Sequence, residues 1–213
     1  MSFSATLLGA TGLIGQHLLK LLLSDNDVES VICISRRPLS VESDKLSTVI
    51  TPLEQLRAHP EAFQSDHLIC CLGTTIKTAG SKSAFRQVDY DFVLAAAELA
   101  KQQGCQYMHV VSAVGADSKS PFFYNKVKGE VEEALTNLDF AGLHIIRPSL
   151  LLGERNERRL AEDLSKPFTR ALSPLLIGHL KRYQPINGTD VAKKMLALCK
   201  QPLKGSNIIY PTL

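Results

Sequence analysis

Phe3-Ser4-Ala5-Thr6-Leu7-Leu8-Gly9-Ala10-Thr11-Gly12-Leu13-Ile14-Gly15 opens the chain with a short apolar run that passes straight into three glycines spaced three apart. A leucine-rich helical pattern follows from Gln16 to Ser24. A strand, a glycine turn and a helix in that order build a seat for a pyrophosphate. Gly9 permits the tight turn, Gly12 lets the backbone approach the phosphates, and Gly15 lets the helix pack against the sheet. The unpaired N–H groups and positive dipole end of the helix then face the anion. Thr11, Leu13 and Ile14 lie within the same turn and join the glycines as expected contacts of a dinucleotide.

Outward from this junction, strand-like and helix-like segments alternate. Strands are expected over Ala5–Gly9, Ser30–Ser35, Ser47–Thr51, His67–Leu72, Tyr107–Ser112 and Leu143–Arg147, and helices over Leu13–Ser24, Leu53–Phe63, Ser83–Gln103 and Asn125–Asn137. The strands are rich in Val, Ile and Leu on both parities, as in a parallel sheet covered on both faces. Such alternation predicts an α/β, doubly wound, mainly parallel sheet of the Rossmann type. After Arg147-Pro148 the pattern changes. A charged stretch, a helical pattern over Leu160–Leu172, a Gln184–Gly188 turn and a last helix ending near Lys200 read as a tail without another strand–helix repeat of similar size. Residues 149–190 are expected to form a small substrate-side cap on a single domain spanning 1–213.

Composition narrows the function. The 213 residues carry a net charge of +3, with 45% hydrophobic and 21% charged side chains, as in an ordinary globular domain. The mild charge and the lack of an aromatic-and-basic stripe argue against nucleic acid. No apolar stretch is long enough for a membrane span. The chain enters its first strand at once, so no leader peptide is expected, and a cytoplasmic location follows from five cysteines read as reduced. Cys70 and Cys71 are adjacent and the six histidines show no ligand spacing, so no metal is expected. His109 and His144 fall in strands and read as core or edge residues. The seven basic and four acidic side chains of residues 154–182 read as a solvated surface.

Three further groups carry chemistry. The second strand ends in Ser35-Arg36-Arg37, where a dinucleotide would place its adenosine ribose; arginines and no acid there favour the 2′-phosphate of NADP(H) over NAD. Tyr124 and Lys128 stand one helical turn apart on one face. A lysine cation beside a phenol stabilises phenolate and makes the phenol a better proton donor or acceptor. Ser112 ends a strand and offers a hydroxyl for a substrate carbonyl.

With these residues in place, the chain resembles the short-chain dehydrogenase/reductases of the extended or atypical kind, and within them the Tat-interacting-protein oxidoreductases. The resemblance rests on Gly9, Gly12 and Gly15, on Ser112, Tyr124 and Lys128, and on Arg147-Pro148. It extends to Cys70-Cys71-Leu72-Gly73-Thr74-Thr75, Val88–Leu94, Ala97–Lys101 and Val127–Glu132. It implies NADPH binding, with Leu72, Gly73, Thr74, Lys128, Arg147 and Pro148 as further cofactor contacts. It also implies a small carbonyl or alcohol substrate, and a regulatory role through a protein partner as the alternative. Monomer and homodimer are both compatible. Two positions depart from the pattern. Asp89 stands where an asparagine normally relays protons, and Thr51-Pro52 replaces an acid that touches adenine, leaving Leu53 as a candidate contact.

Overall fold

The computed structural model describes residues 2–152 and 182–211. Seven parallel strands form one sheet in the order β3-β2-β1-β4-β5-β6-β9. They are β1 (Phe3–Leu8), β2 (Val28–Ser35), β3 (Leu46–Ile50), β4 (His67–Cys70), β5 (Tyr107–Val111), β6 (Gly142–Ile146) and β9 (Gly205–Ile209). A two-residue pair, β7 (Leu151–Leu152) with β8 (Ile186–Asn187), runs parallel beside it. The chain order reverses between β1 and β4, and that switch point opens a crevice at the carboxyl edge directly over the glycine turn.

Helices cover both faces. On one face lie α1 (Leu13–Ser24) and α6 (Gly188–Lys200), whose buried residues include Ile14, Leu18, Leu22, Val191, Met195 and Cys199. On the other lie α4 (Phe92–Gln102) and α5 (Phe123–Thr136), packed through residues such as Val93, Ala96, Ala97, Val131 and Leu135. The apolar positions of each helix recur at three- and four-residue intervals, so a single stripe meets the sheet.

The six expected strands are all present, each shifted by a residue or two at one end or both. Two expectations are corrected and one gains detail. Leu53–Phe63 is not an α-helix but two 3-10 turns, Leu53–Ala58 and Pro60–Phe63, because Pro60 interrupts the pattern after His59. The helix expected over Ser83–Gln103 is present as one unbroken helical path, α3 (Lys82–Arg86), a π turn (Gln87–Asp91) and α4, after the short helix α2 (Ile76–Ala79). The tail does supply another helix–strand unit, since β9 pairs with β6 from Gly142–Gly205 to Ile146–Ile209. Its Gly-Ser-Asn start lacks strand propensity, and as an edge strand it is half solvated, so it carries no alternating apolar signal. The helical pattern over Leu160–Leu172 and most of the expected 149–190 cap lie outside the described residues.

His67, His109 and His144 are all buried on neighbouring strands, so the core reading of His109 and His144 holds. Burial holds His67 down at about 4 against a small opposing pull from Asp66. It also drives His109 well below the usual histidine range and lowers His144. These histidines fold neutral, whereas in the unfolded chain they charge near pH 6.5. Their contribution is therefore complete above about pH 6.5 and is lost as pH falls toward the folded values, by up to about 1.4 kcal/mol per pH unit for each histidine. Urea midpoints of chelator-treated protein are expected to drop steeply between pH 6.5 and 4. A flat profile over that window would show that the three rings are not held neutral.

Candidate functional site

The glycine turn is fixed by close contacts that leave no room for side chains. Gly9 adopts φ +83°, and a Cβ there would lie 2.6 Å from the Cys71 carbonyl carbon; one on Gly15 would lie 2.1 Å from the Gly9 oxygen. Gly12 caps α1 without any side-chain hydrogen bond, and the first turn holds no acidic residue. The N–H groups of that turn are thus left for an external anion, the donor set a pyrophosphate needs. Thr11 and Gly12 are exposed, whereas Leu13 and Ile14 are buried and shape the floor. A dinucleotide fits this cradle.

Arg36 and Arg37 follow β2 at the same edge, both exposed and without an ion pair among the described residues. Leu53 opens the first 3-10 turn with its side chain buried, as an apolar wall beside the Thr51-Pro52 bend. Leu72, Gly73 and Thr74 follow β4 across the switch point, and the Thr74 N–H donates to Asp89 Oδ2 at 2.9 Å.

Asp89 proves central. It sits in the π turn, a wide turn that often marks functional positions, and is 1% exposed. Its Oδ1 lies 2.7 Å from Lys128 Nζ, and Lys128 is itself 4% exposed. Burial pulls the Lys128 ammonium down, but the Asp89 carboxylate and the Tyr124 oxygen outweigh it and hold the group above its ordinary value. The lysine is thus charged at neutral pH, one turn below Tyr124, whose ring packs on Phe85 at 5.4 Å between centroids. Asp89, read from the sequence as a gap in a proton relay, is the counter-ion that lets a lysine be buried. Phe123 also packs on Phe85, while Phe122 beside it is 71% exposed.

Ser112 and Arg147 are brought together, but with each other rather than with the glycine turn. The Ser112 hydroxyl donates to Glu132, and Arg147 grips the same carboxylate from its Nε at 3.1 Å and from Nη2. Arg147 Nη1 also donates to the Tyr210 hydroxyl at 3.3 Å. Pro148 braces the next loop by accepting the Val114 N–H at 3.0 Å. Glu132 went unread in the sequence, although it continues the one-turn spacing of Tyr124 and Lys128 along α5.

Comparison with known proteins agrees with this geometry. The profile of the NAD(P)H-binding family matches residues 9–174. Protein HTATIP2 of Rattus norvegicus is 41% identical over 173 residues, covering 79% of this chain and 71% of the relative. Mitochondrial protein FMP52 of Lodderomyces elongisporus is 31% identical over 226 residues, covering 96% and 90%. Among solved structures, UDP-N-acetylglucosamine 4-epimerase from Methanobrevibacter ruminantium superposes with a TM-score of 0.73 at 14% identity, covering 98% of this chain and 76% of that one. The Bordetella bronchiseptica enzyme WbmG in complex with NAD superposes at 0.71 and 13%, covering 99% and 73%. Likeness at such low identity shows the fold. The glycine cradle, the seven-stranded parallel sheet and the match over 9–174 together establish that this chain belongs to the NAD(P)H-binding family and bear out its resemblance to the Tat-interacting-protein oxidoreductases.

Proposed function

We propose that the protein is an NADP(H)-dependent oxidoreductase acting on a small carbonyl or alcohol substrate. The observation that carries this reading is a buried, charged Lys128 beside Tyr124, tied by Asp89 to the loop after β4. The glycine turn would hold the pyrophosphate, Arg36 and Arg37 the 2′-phosphate, and Leu53, Leu72, Gly73 and Thr74 the adenosine and the central ribose. When bound, the nicotinamide nucleotide supplies or accepts the hydride. Tyr124 donates the proton to the substrate oxygen in reduction and takes it back in oxidation. Lys128 holds a positive charge next to that phenol, and Asp89 fixes where the charge sits. The reduced thiols of all five cysteines suit a cytoplasmic setting, and no described helix is long and apolar enough to cross a membrane.

Calorimetry with NADPH and NADH tests the cofactor half. The native chain is expected to favour NADPH, and Arg36→Ala with Arg37→Ala to lose that preference by about 10- to 100-fold, as charge-assisted hydrogen bonds to the phosphate disappear. Equal affinity of the native chain for both nucleotides would refute the assignment.

One observation favours a second reading, an NADPH-bound sensor that answers to a protein partner. The Ser112 hydroxyl is committed as a donor to Glu132, so its proton is not offered to a substrate carbonyl. On this reading NADPH binds, but no aldehyde, ketone or quinone accelerates its oxidation. Substrate-dependent turnover across such a panel would exclude it.

A further inference from the structure

On the α1/α6 face of the sheet, opposite α4 and α5, three imidazoles stand side by side. His67 of β4 and His109 of β5 stack with centroids 5.2 Å apart, and His109 and His144 of β6 at 4.6 Å. His67 Nδ1 lies 2.9 Å from His109 Nε2, and Cys199 Sγ, reaching in from α6, lies 3.6 Å from that same nitrogen. The three donor atoms fall within 4.8 Å of one another, and all three residues are buried. His144 stands apart from this trio, because its Nε2 accepts the Leu203 N–H at 2.9 Å. The linear spacing hides the cluster, since its donors come from two strands and a helix that only the fold brings together.

Two imidazole nitrogens and a sulfur are a borderline-to-soft set of ligands. With bonds of about 2.0 Å to nitrogen and 2.3 Å to sulfur, three ligands around one ion sit roughly 3.3–3.7 Å apart. The observed 2.9 and 3.6 Å separations are within a few tenths of an ångström of that range, and the remaining pair, His67 and Cys199, lies within 4.8 Å and closes by about 1 Å through side-chain rotation as the ion binds. Charge selects the ion. Among the described residues the acidic group that acts on the trio is Asp66, which already accepts from the Ser4 N–H and hydroxyl, both at 2.7 Å. A single thiolate therefore balances a single positive charge. A divalent ion would leave net charge in a dry core, at high cost.

We propose that His67, His109 and Cys199 form a buried site for a soft monovalent transition-metal cation of the cuprous type. On binding, the Cys199 thiol releases its proton to solvent, and two metal–nitrogen bonds replace the His67–His109 hydrogen bond. Both imidazoles stay neutral, and the oxidation state of the metal does not change. The ring that donated in that hydrogen bond changes tautomer, so that the His67 proton sits on Nε2 and the His109 proton on Nδ1, which has no partner among the described residues.

The test loads the full chain anaerobically with one equivalent of Cu(I) against bathocuproine disulfonate, both as folded protein and during refolding from urea. Native mass spectrometry is expected to show one copper retained per chain, and X-ray absorption one sulfur and two nitrogen neighbours. Cys199→Ser is expected to weaken retention at least about 100-fold, since losing a ligand costs more than losing a supporting contact. Cys33→Ser, which alters a buried cysteine outside the trio, leaves it unchanged. Circular dichroism checks that each variant is folded, and His67→Gln provides a second ligand deletion. Loss of all copper to the chelator from the native chain, or equal retention by Cys199→Ser, overturns the site. Preferential retention of Zn(II) overturns its monovalent character. NADPH affinity, measured alongside, is expected to be the same in native protein and Cys199→Ser, so this proposal and the oxidoreductase reading fail independently.

Discussion

Asp89→Ala is expected to lower the folding free energy by about 3–5 kcal/mol, the usual cost of stranding a buried ion without its partner. Lys128 has no compensating carboxylate within ion-pair distance other than Asp89 among the described residues, and solvent barely reaches it. The same change frees the Thr74 N–H that Asp89 accepts. Replacing both members of the pair, as Asp89→Ala with Lys128→Met, is expected to recover much of the loss, because an apolar pair carries no desolvation cost. Urea unfolding at pH 7 measures both variants. A loss below about 1 kcal/mol for Asp89→Ala would mean that Lys128 escapes to water and does not anchor the site. The raised Lys128 value fixes the direction with pH. The contribution of the pair is complete below about pH 10, where the unfolded lysine titrates, and disappears as pH rises through the folded value.

Tyr124→Phe is expected to cut substrate turnover by about 10²- to 10⁴-fold, the range that general acid–base groups contribute. The phenyl ring keeps the packing on Phe85, so stability is conserved and dinucleotide affinity is unchanged. Steady-state rates with an aldehyde or quinone, set beside calorimetric binding of NADPH, separate the two effects. Undiminished turnover would remove Tyr124 from proton transfer. A parallel loss of nucleotide affinity would assign the phenol to binding instead.

What could be read from the chain follows the range of the interactions involved. The glycine turn is a local signal, because each glycine is demanded by contacts within the turn itself or with the strand beside it, and it was legible in full. Continuous apolar runs made the six central strands legible for the same reason. Strand β9 was not, since an edge strand beginning Gly205-Ser206-Asn207 is specified by its pairing with β6 rather than by its own composition. Tyr124 and Lys128 were legible from their one-turn spacing, whereas the Lys128–Asp89 pair joins residues from separate helices and appears only once the π turn carries Asp89 inward. Ser112 looked free for a substrate because nothing local reveals Glu132, which the sheet and α5 bring to it. The histidine stack is the extreme case, its members being 42 and 35 residues apart in sequence yet in contact through strand register (67, 109, 144).

The parallel bridge between Leu151–Leu152 and Ile186–Asn187 has an architectural consequence. The backbone departs from the scaffold and rejoins it at adjacent points, with Ile186 N–H bonded to the Leu150 carbonyl at 3.0 Å and the Ser149 hydroxyl to the Gln184 carbonyl. Whatever lies between those points can be lengthened, shortened or exchanged without disturbing the register of any strand in the main sheet. The seam thus makes the main sheet indifferent to the length of chain between its two ends.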